Sequence, residues 1–147
     1  MSQSPQTWVT DIFTPDTTTH YRIPLLTCPV EAGFPSPADD WVEDRLDLNK
    51  HLIKHPAATF FVRVSGYSMT GAGIHPGDIL VVDRALEPSD GKVIIAVVNG
   101  ELTVKRVKVK QGKLFLMPDN PDYPPLAIEE ETDFSVWGVV SYVIHSP

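Results

Sequence analysis

From residue 59 onward the chain alternates short apolar runs with turn residues. β-branched and aromatic side chains dominate residues 59–65, 78–84, 92–98, 101–110, 113–117 and 134–144, and such runs fit a pleated, half-buried surface. Prolines and acids separate them, notably from Pro118 to Pro125 and in Glu129-Glu130-Glu131. The pattern predicts an all-β body, a strongly bent sheet or incomplete barrel, without internal repeats.

The first part of the chain reads differently. Residues 1–35 contain Pro5, Pro15, Pro24 and Pro29, a Thr17-Thr18-Thr19 run and no sustained helical period. They are expected to form a partly extended arm able to reach an active site of its own or of a partner copy. Ser36-Pro37-Ala38-Asp39 has the features of a helix start, with Ser36 as N-cap and Pro37 at the first helical position. The expected helix runs through Trp41 and Leu46 and breaks near Asp47. His55-Pro56 closes this region.

Asn99-Gly100 lies between the apolar run of residues 93–98 and the strand-like run of residues 101–110. Both residues tolerate positive φ, so the pair is a strong hairpin signal. A two-residue turn sets the register: Val98 faces Glu101, Ala96 faces Thr103 and Ile94 faces Lys105. Alternation then puts Thr103, Lys105, Val107 and Val109 on one face. Arg106, Lys108 and Lys110 fall on the other with Leu102 and Val104, and these three cations read as a solvated outer face. Lys105 is the exception, in line with valines and opposite an isoleucine. There it either snorkels, burying its stem while the ammonium reaches water, or is desolvated with a lowered pKa, able as a neutral amine to take a proton. The hairpin alone leaves both readings open.

A second segment bears on that choice. Phe60-Phe61-Val62-Arg63-Val64 reads as a strand, and Ser65-Gly66-Tyr67-Ser68-Met69 then breaks the pattern. A serine in a glycine-containing turn after a strand can project its hydroxyl. The backbone N–H groups around it, those of Ser68 and Met69, are candidate oxyanion donors. Ser68 and Lys105 together suggest a nucleophile and its general base. His20, His51, His55, His75 and His145 are scattered, without metal-ligand spacing, so no metal or cofactor is expected. His75 is nearest to Ser68 in sequence but reads as a loop residue. Asp78 and Asp83 flank an apolar strand and read as turn caps rather than acids.

Composition narrows the setting. The net charge of −7 argues against nonspecific DNA binding, which normally needs a basic surface. No apolar run is long enough to span a membrane, and no signal-peptide pattern is present. The single cysteine, Cys28, cannot form an internal disulfide and suits a reducing cytoplasm.

The segments as a set resemble the LexA/UmuD family of self-cleaving serine peptidases, from about Leu26 to Tyr142. The matching stretches are residues 32–38 (Ala-Gly-Phe-Pro-Ser-Pro-Ala), 65–69 (Ser-Gly-Tyr-Ser-Met), 77–83 (Gly-Asp-Ile-Leu-Val-Val-Asp) and 100–105 (Gly-Glu-Leu-Thr-Val-Lys). Their order and spacing match too, including the interval from Ser68 to Lys105. Only 32 residues precede Gly33, too few and too broken for a LexA-type DNA-binding domain, so the chain is similar to UmuD rather than to LexA. Tyr67 departs from the family pattern, in which a smaller or acidic residue often precedes the nucleophile.

The resemblance implies that Ser68 attacks the carbonyl of Ala32 with Lys105 as base. Cutting Ala32–Gly33 would divide the chain into an arm, residues 1–32, and a peptidase and dimerisation domain, residues 33–147. It further implies an SOS-response role, stimulation by RecA filaments on single-stranded DNA, a homodimer, and partnership of the shortened form with a UmuC-type translesion polymerase subunit. The alternative is a non-enzymatic binding or regulatory subunit of a polymerase or repressor system in which cleavage is slow or incidental.

Overall fold

The computed structural model describes residues 6–20, 22–26 and 42–147, with backbone alone at 22–26 and 42–45. The chain divides into two compact units, Met1–Pro15 with His55–Pro147, and Asp16–Lys54.

In the larger unit the expected β body is present. Its strands are β1 (Trp8–Phe13), β4 (Thr59–Ser65), β5 (Ile79–Asp83), β6 (Val93–Val98), β7 (Glu101–Lys110), β8 (Lys113–Met117), β9 (Leu126–Ala127) and β10 (Phe134–Ile144). Among the described residues they form one sheet in the order β1-β4-β5-β10-β6-β7-β8-β9, and β1 also pairs with β7. The sheet therefore bends round until its first strand meets its sixth, closing a small barrel of the LexA-like peptidase type. Bulges help it curl. β10 shifts register between Val136 and Gly138 against β6, and between Val140 and Tyr142 against β5; each extra residue bends the strand and sharpens its twist.

The β6–β7 hairpin has the register its Asn-Gly turn dictates: Val98 pairs with Glu101, Ala96 with Thr103 and Ile94 with Lys105. Asn99 and Gly100 both take positive φ, 50° and 84°. Two apolar clusters cover the hairpin. Ile95 and Val104 join Val62, Val64, Met69, Ile74, Leu80 and Val82 in one, while Ile94, Ala96 and Val107 join Leu116 and Val139 in the other. The face of β7 expected to be solvated thus changes along its length. Val104 is fully buried, Arg106 is half-buried, and Lys108 and Lys110 are exposed. Arg106 leaves the solvated stripe because its guanidinium is bound, donating to Asp119 Oδ2 at 3.0 and 2.6 Å and to the Gly91 carbonyl at 2.6 Å.

Asp78 and Asp83 bracket β5 and do cap turns. Asp78 accepts from the His75 amide at 2.8 Å and Asp83 from the Ala85 amide at 2.9 Å. Each also holds an imidazole at 2.6 Å, His145 on Asp78 and His55 on Asp83.

The smaller unit corrects the expected helix. Its segment from 36 to 41 lies outside the described residues, but Val42–Asp47 is a strand, β3, paired antiparallel with β2 (Arg22–Leu26). Helix α1 (Leu48–Leu52) begins where the break was expected. Asp47 is its N-cap, accepting from the Asn49 and Lys50 amides at 3.0 and 3.5 Å. A lone acid ahead of a helix is a start signal. Val42 and Leu46 stand at i, i+4, a spacing a helix also satisfies, and pairing with a strand some twenty residues upstream is not visible locally.

Candidate functional site

β4 delivers the chain to Ser65, and Gly66 turns it at φ +92°. A Cβ on Gly66 would collide with the Gln6 carbonyl oxygen, so both the dihedral and the close approach of the backbone just before β1 require glycine. Ser68 follows in the turn. Met69, fully buried in the first apolar cluster, anchors it. Further ties come from the loop after β8. Asn120 Nδ2 donates to the Tyr67 carbonyl at 2.8 Å, and the Gly71 amide donates to the Asp119 carbonyl at 2.7 Å.

Lys105 enters from the middle of β7. Its Nζ lies 3.3 Å from Ser68 Oγ, 3.2 Å from Thr103 Oγ1 and 3.2 Å from the Val104 carbonyl. Lys105 is 5% exposed and Ser68 0%, so the lysine does not snorkel. These three partners are neutral oxygens, and burial lowers the amine from 10.5 to about 8, because desolvation disfavours the charged form. A substantial neutral fraction near physiological pH can accept a proton, which a surface lysine cannot offer.

The structure thus brings Ser68 to Lys105 rather than to His75, whose ring lies tilted against that of His145 with centroids 5.2 Å apart. Tyr67 is half-exposed. Ala32, Gly33 and Cys28 lie outside the described residues. Two groups at the site were not legible in the sequence. Thr7 donates its amide to Ser68 Oγ at 2.8 Å. Asp119 ties Arg106, next to Lys105, to the turn carrying Ser68, through its side chain on one side and its carbonyl to Gly71 on the other. A Thr in a polar arm and an Asp in a proline-rich loop carry no periodic signal that would single them out.

A closed β-sheet of this topology, with a serine turn following one strand and a buried lysine on another, is the LexA-like peptidase architecture. The family model for S24-like peptidases matches residues 24–141. Protein SamA of Salmonella typhimurium is 50% identical over 122 residues, 83% of this chain and 84% of that one. Protein MucA of Escherichia coli is 42% identical over 123 residues, 83% and 84% of the two chains. The LexA repressor of Acidithiobacillus ferrooxidans is 41% identical over 114 residues, 76% of this chain but 55% of its own. The chain belongs to the S24-like peptidase family, and within it to the UmuD-like members. Membership supports serine-peptidase activity in a self-cleaving role within the SOS and translesion system. Among the described residues no helix is long and apolar enough to cross a membrane.

Proposed function

We propose that this chain is a self-cleaving serine peptidase in which Ser68 is the nucleophile, Lys105 the general base, and Ala32–Gly33 the bond cut. The observation that carries the reading is the 3.3 Å contact between Ser68 Oγ and a buried Lys105 amine. Neutral Lys105 takes the hydroxyl proton as Oγ adds to the Ala32 carbonyl carbon. The backbone N–H groups of Ser68 and Met69 hold the resulting oxyanion. Collapse breaks the C–N bond, and Lys105 returns the proton to the departing Gly33 amine. Water, deprotonated by the same amine, then hydrolyses the Ala32 ester and restores Ser68. Gly33 adds no Cβ beside the scissile carbonyl, which eases its approach.

The products are residues 1–32 and residues 33–147. In this reading RecA filaments on single-stranded DNA trigger the cut in the cytoplasm. The shortened form, a homodimer, serves a UmuC-type translesion polymerase subunit and makes no direct contact with DNA.

The test is intact mass against time at alkaline pH for the wild type, Ser68→Ala and Lys105→Ala. A species equal to residues 33–147, formed by the wild type alone, is the expected result. No cut in any of the three, with RecA filaments present, would refute the peptidase reading in favour of a non-enzymatic binding subunit.

A further inference from the structure

The groove over Ser68 is occupied. Residues 6–9, the lead-in and first two residues of β1, pass between β4 and β7, Trp8 pairing with Ser65 on one side and with Thr103 on the other, and Val9 with Val64. The Thr7 carbonyl accepts from the Val104 amide at 3.0 Å and from Thr103 Oγ1 at 2.9 Å. The Thr7 amide donates to Ser68 Oγ at 2.8 Å, and Thr7 is wholly buried. Gly66 leaves room for the Gln6 carbonyl to press against it. The strand is therefore bonded on both edges and from below, as β-strand addition binds a peptide.

The register is not one for cleavage. An acceptor on an N–H axis lies in the peptide plane, on the amide side, roughly 3.6 Å from the preceding carbonyl carbon for a C–N bond of ~1.33 Å. Nucleophilic addition needs approach to the face of that carbon, at a shorter distance. With an N–H directed at it, the hydroxyl is engaged without being aimed at the Gln6 carbonyl. The strand is also an imperfect fit. Gln6 Oε1 and Thr7 Oγ1 are buried without a hydrogen-bond partner, which weakens its hold and suits a segment that must leave.

We infer that residues 6–9 are a built-in pseudosubstrate: they fill the peptide groove over Ser68 in a non-cleavable register, and self-cleavage requires their departure. The inference rests on the proposed Ser68–Lys105 dyad. A substrate strand carrying Ala32–Gly33 needs the same two edges, those of Ser65 and of Thr103–Val104, so the two segments compete. The rate of the cut then scales with the fraction of molecules whose groove is open.

The test compares full-length wild type with Thr7→Pro, which deletes the N–H bonded to Ser68, and with Val9→Asp, which sets a carboxylate against the apolar cluster that Val9 packs on and so weakens the strand's docking without removing a bond to Ser68. Hydrogen exchange of the Val104 amide reports occupancy independently of chemistry, and intact mass reports the cut. The expected result is a protected Val104 amide in the wild type, faster exchange in both variants, and self-cleavage at least about fivefold faster. Equal Val104 exchange in all three would overturn the inference and leave the peptidase reading intact. Faster exchange with an unchanged rate of cutting would overturn the gating role. Faster exchange with no cutting in any protein, at alkaline pH and with RecA filaments, would refute the dyad reading and with it the inhibition, while the strand's docking would stand.

Discussion

Raising the pH from 7 to 9 tests the lysine directly. With Lys105 lowered to about 8 by burial, its neutral fraction is about one-tenth at pH 7 and about nine-tenths at pH 9. Only the neutral form can accept the Ser68 proton, so the first-order rate of self-cleavage should rise about tenfold across that range and level off above pH 9. An amine with the ordinary value of 10.5 would instead give nearly a hundredfold rise with no plateau in sight. The assay is intact mass against time at fixed temperature and ionic strength, in half-unit steps from pH 6.5 to 10. A profile flat from neutral to alkaline pH would refute Lys105 as the proton acceptor. A hundredfold climb without a plateau would keep the lysine but refute its burial in the resting state.

Other consequences can be measured on the same protein. Between about 8, where folded Lys105 titrates, and 10.5, where the unfolded residue does, the unfolded chain holds one proton more, so stability rises with pH in that window. Lys105→Met removes the desolvated amine and should stabilise the fold at pH 7 by about 1–3 kcal/mol in urea titration while abolishing the cut; a loss of stability would contradict the burial argument. Asp119→Ala releases Arg106 and should slow cleavage about tenfold with an unchanged pH midpoint. Its effect on stability should stay within about 1 kcal/mol, because the pair is partly exposed. Leu80→Ala, at a fully buried position of β5, should destabilise by about 2–5 kcal/mol in the same titration.

Strands β4 to β8 and β10 were legible because their residues repeat a local chemical pattern. The β6–β7 register followed from Asn99-Gly100, since a two-residue turn leaves one alignment, and that alignment put Lys105 opposite Ile94. The family resemblance brought Ser68 and Lys105 together across an interval that local rules cannot bridge. By contrast, the local pattern predicts helix where β3 forms, because its partner strand lies far upstream and only the ladder between them decides its conformation.

By itself, then, the sequence determined the hairpin and the all-β body, because turn geometry and side-chain alternation act over a few neighbours, while the two residues proposed for chemistry were paired by the family resemblance. The tertiary structure alone decided three things. It closed the sheet through Trp8 and Thr103. It buried Lys105 deeply enough to lower its pKa, an effect of everything packed around the amine rather than of its neighbours in sequence. It laid Thr7 against Ser68, a contact between residues far apart in the chain that exists only once the barrel has formed.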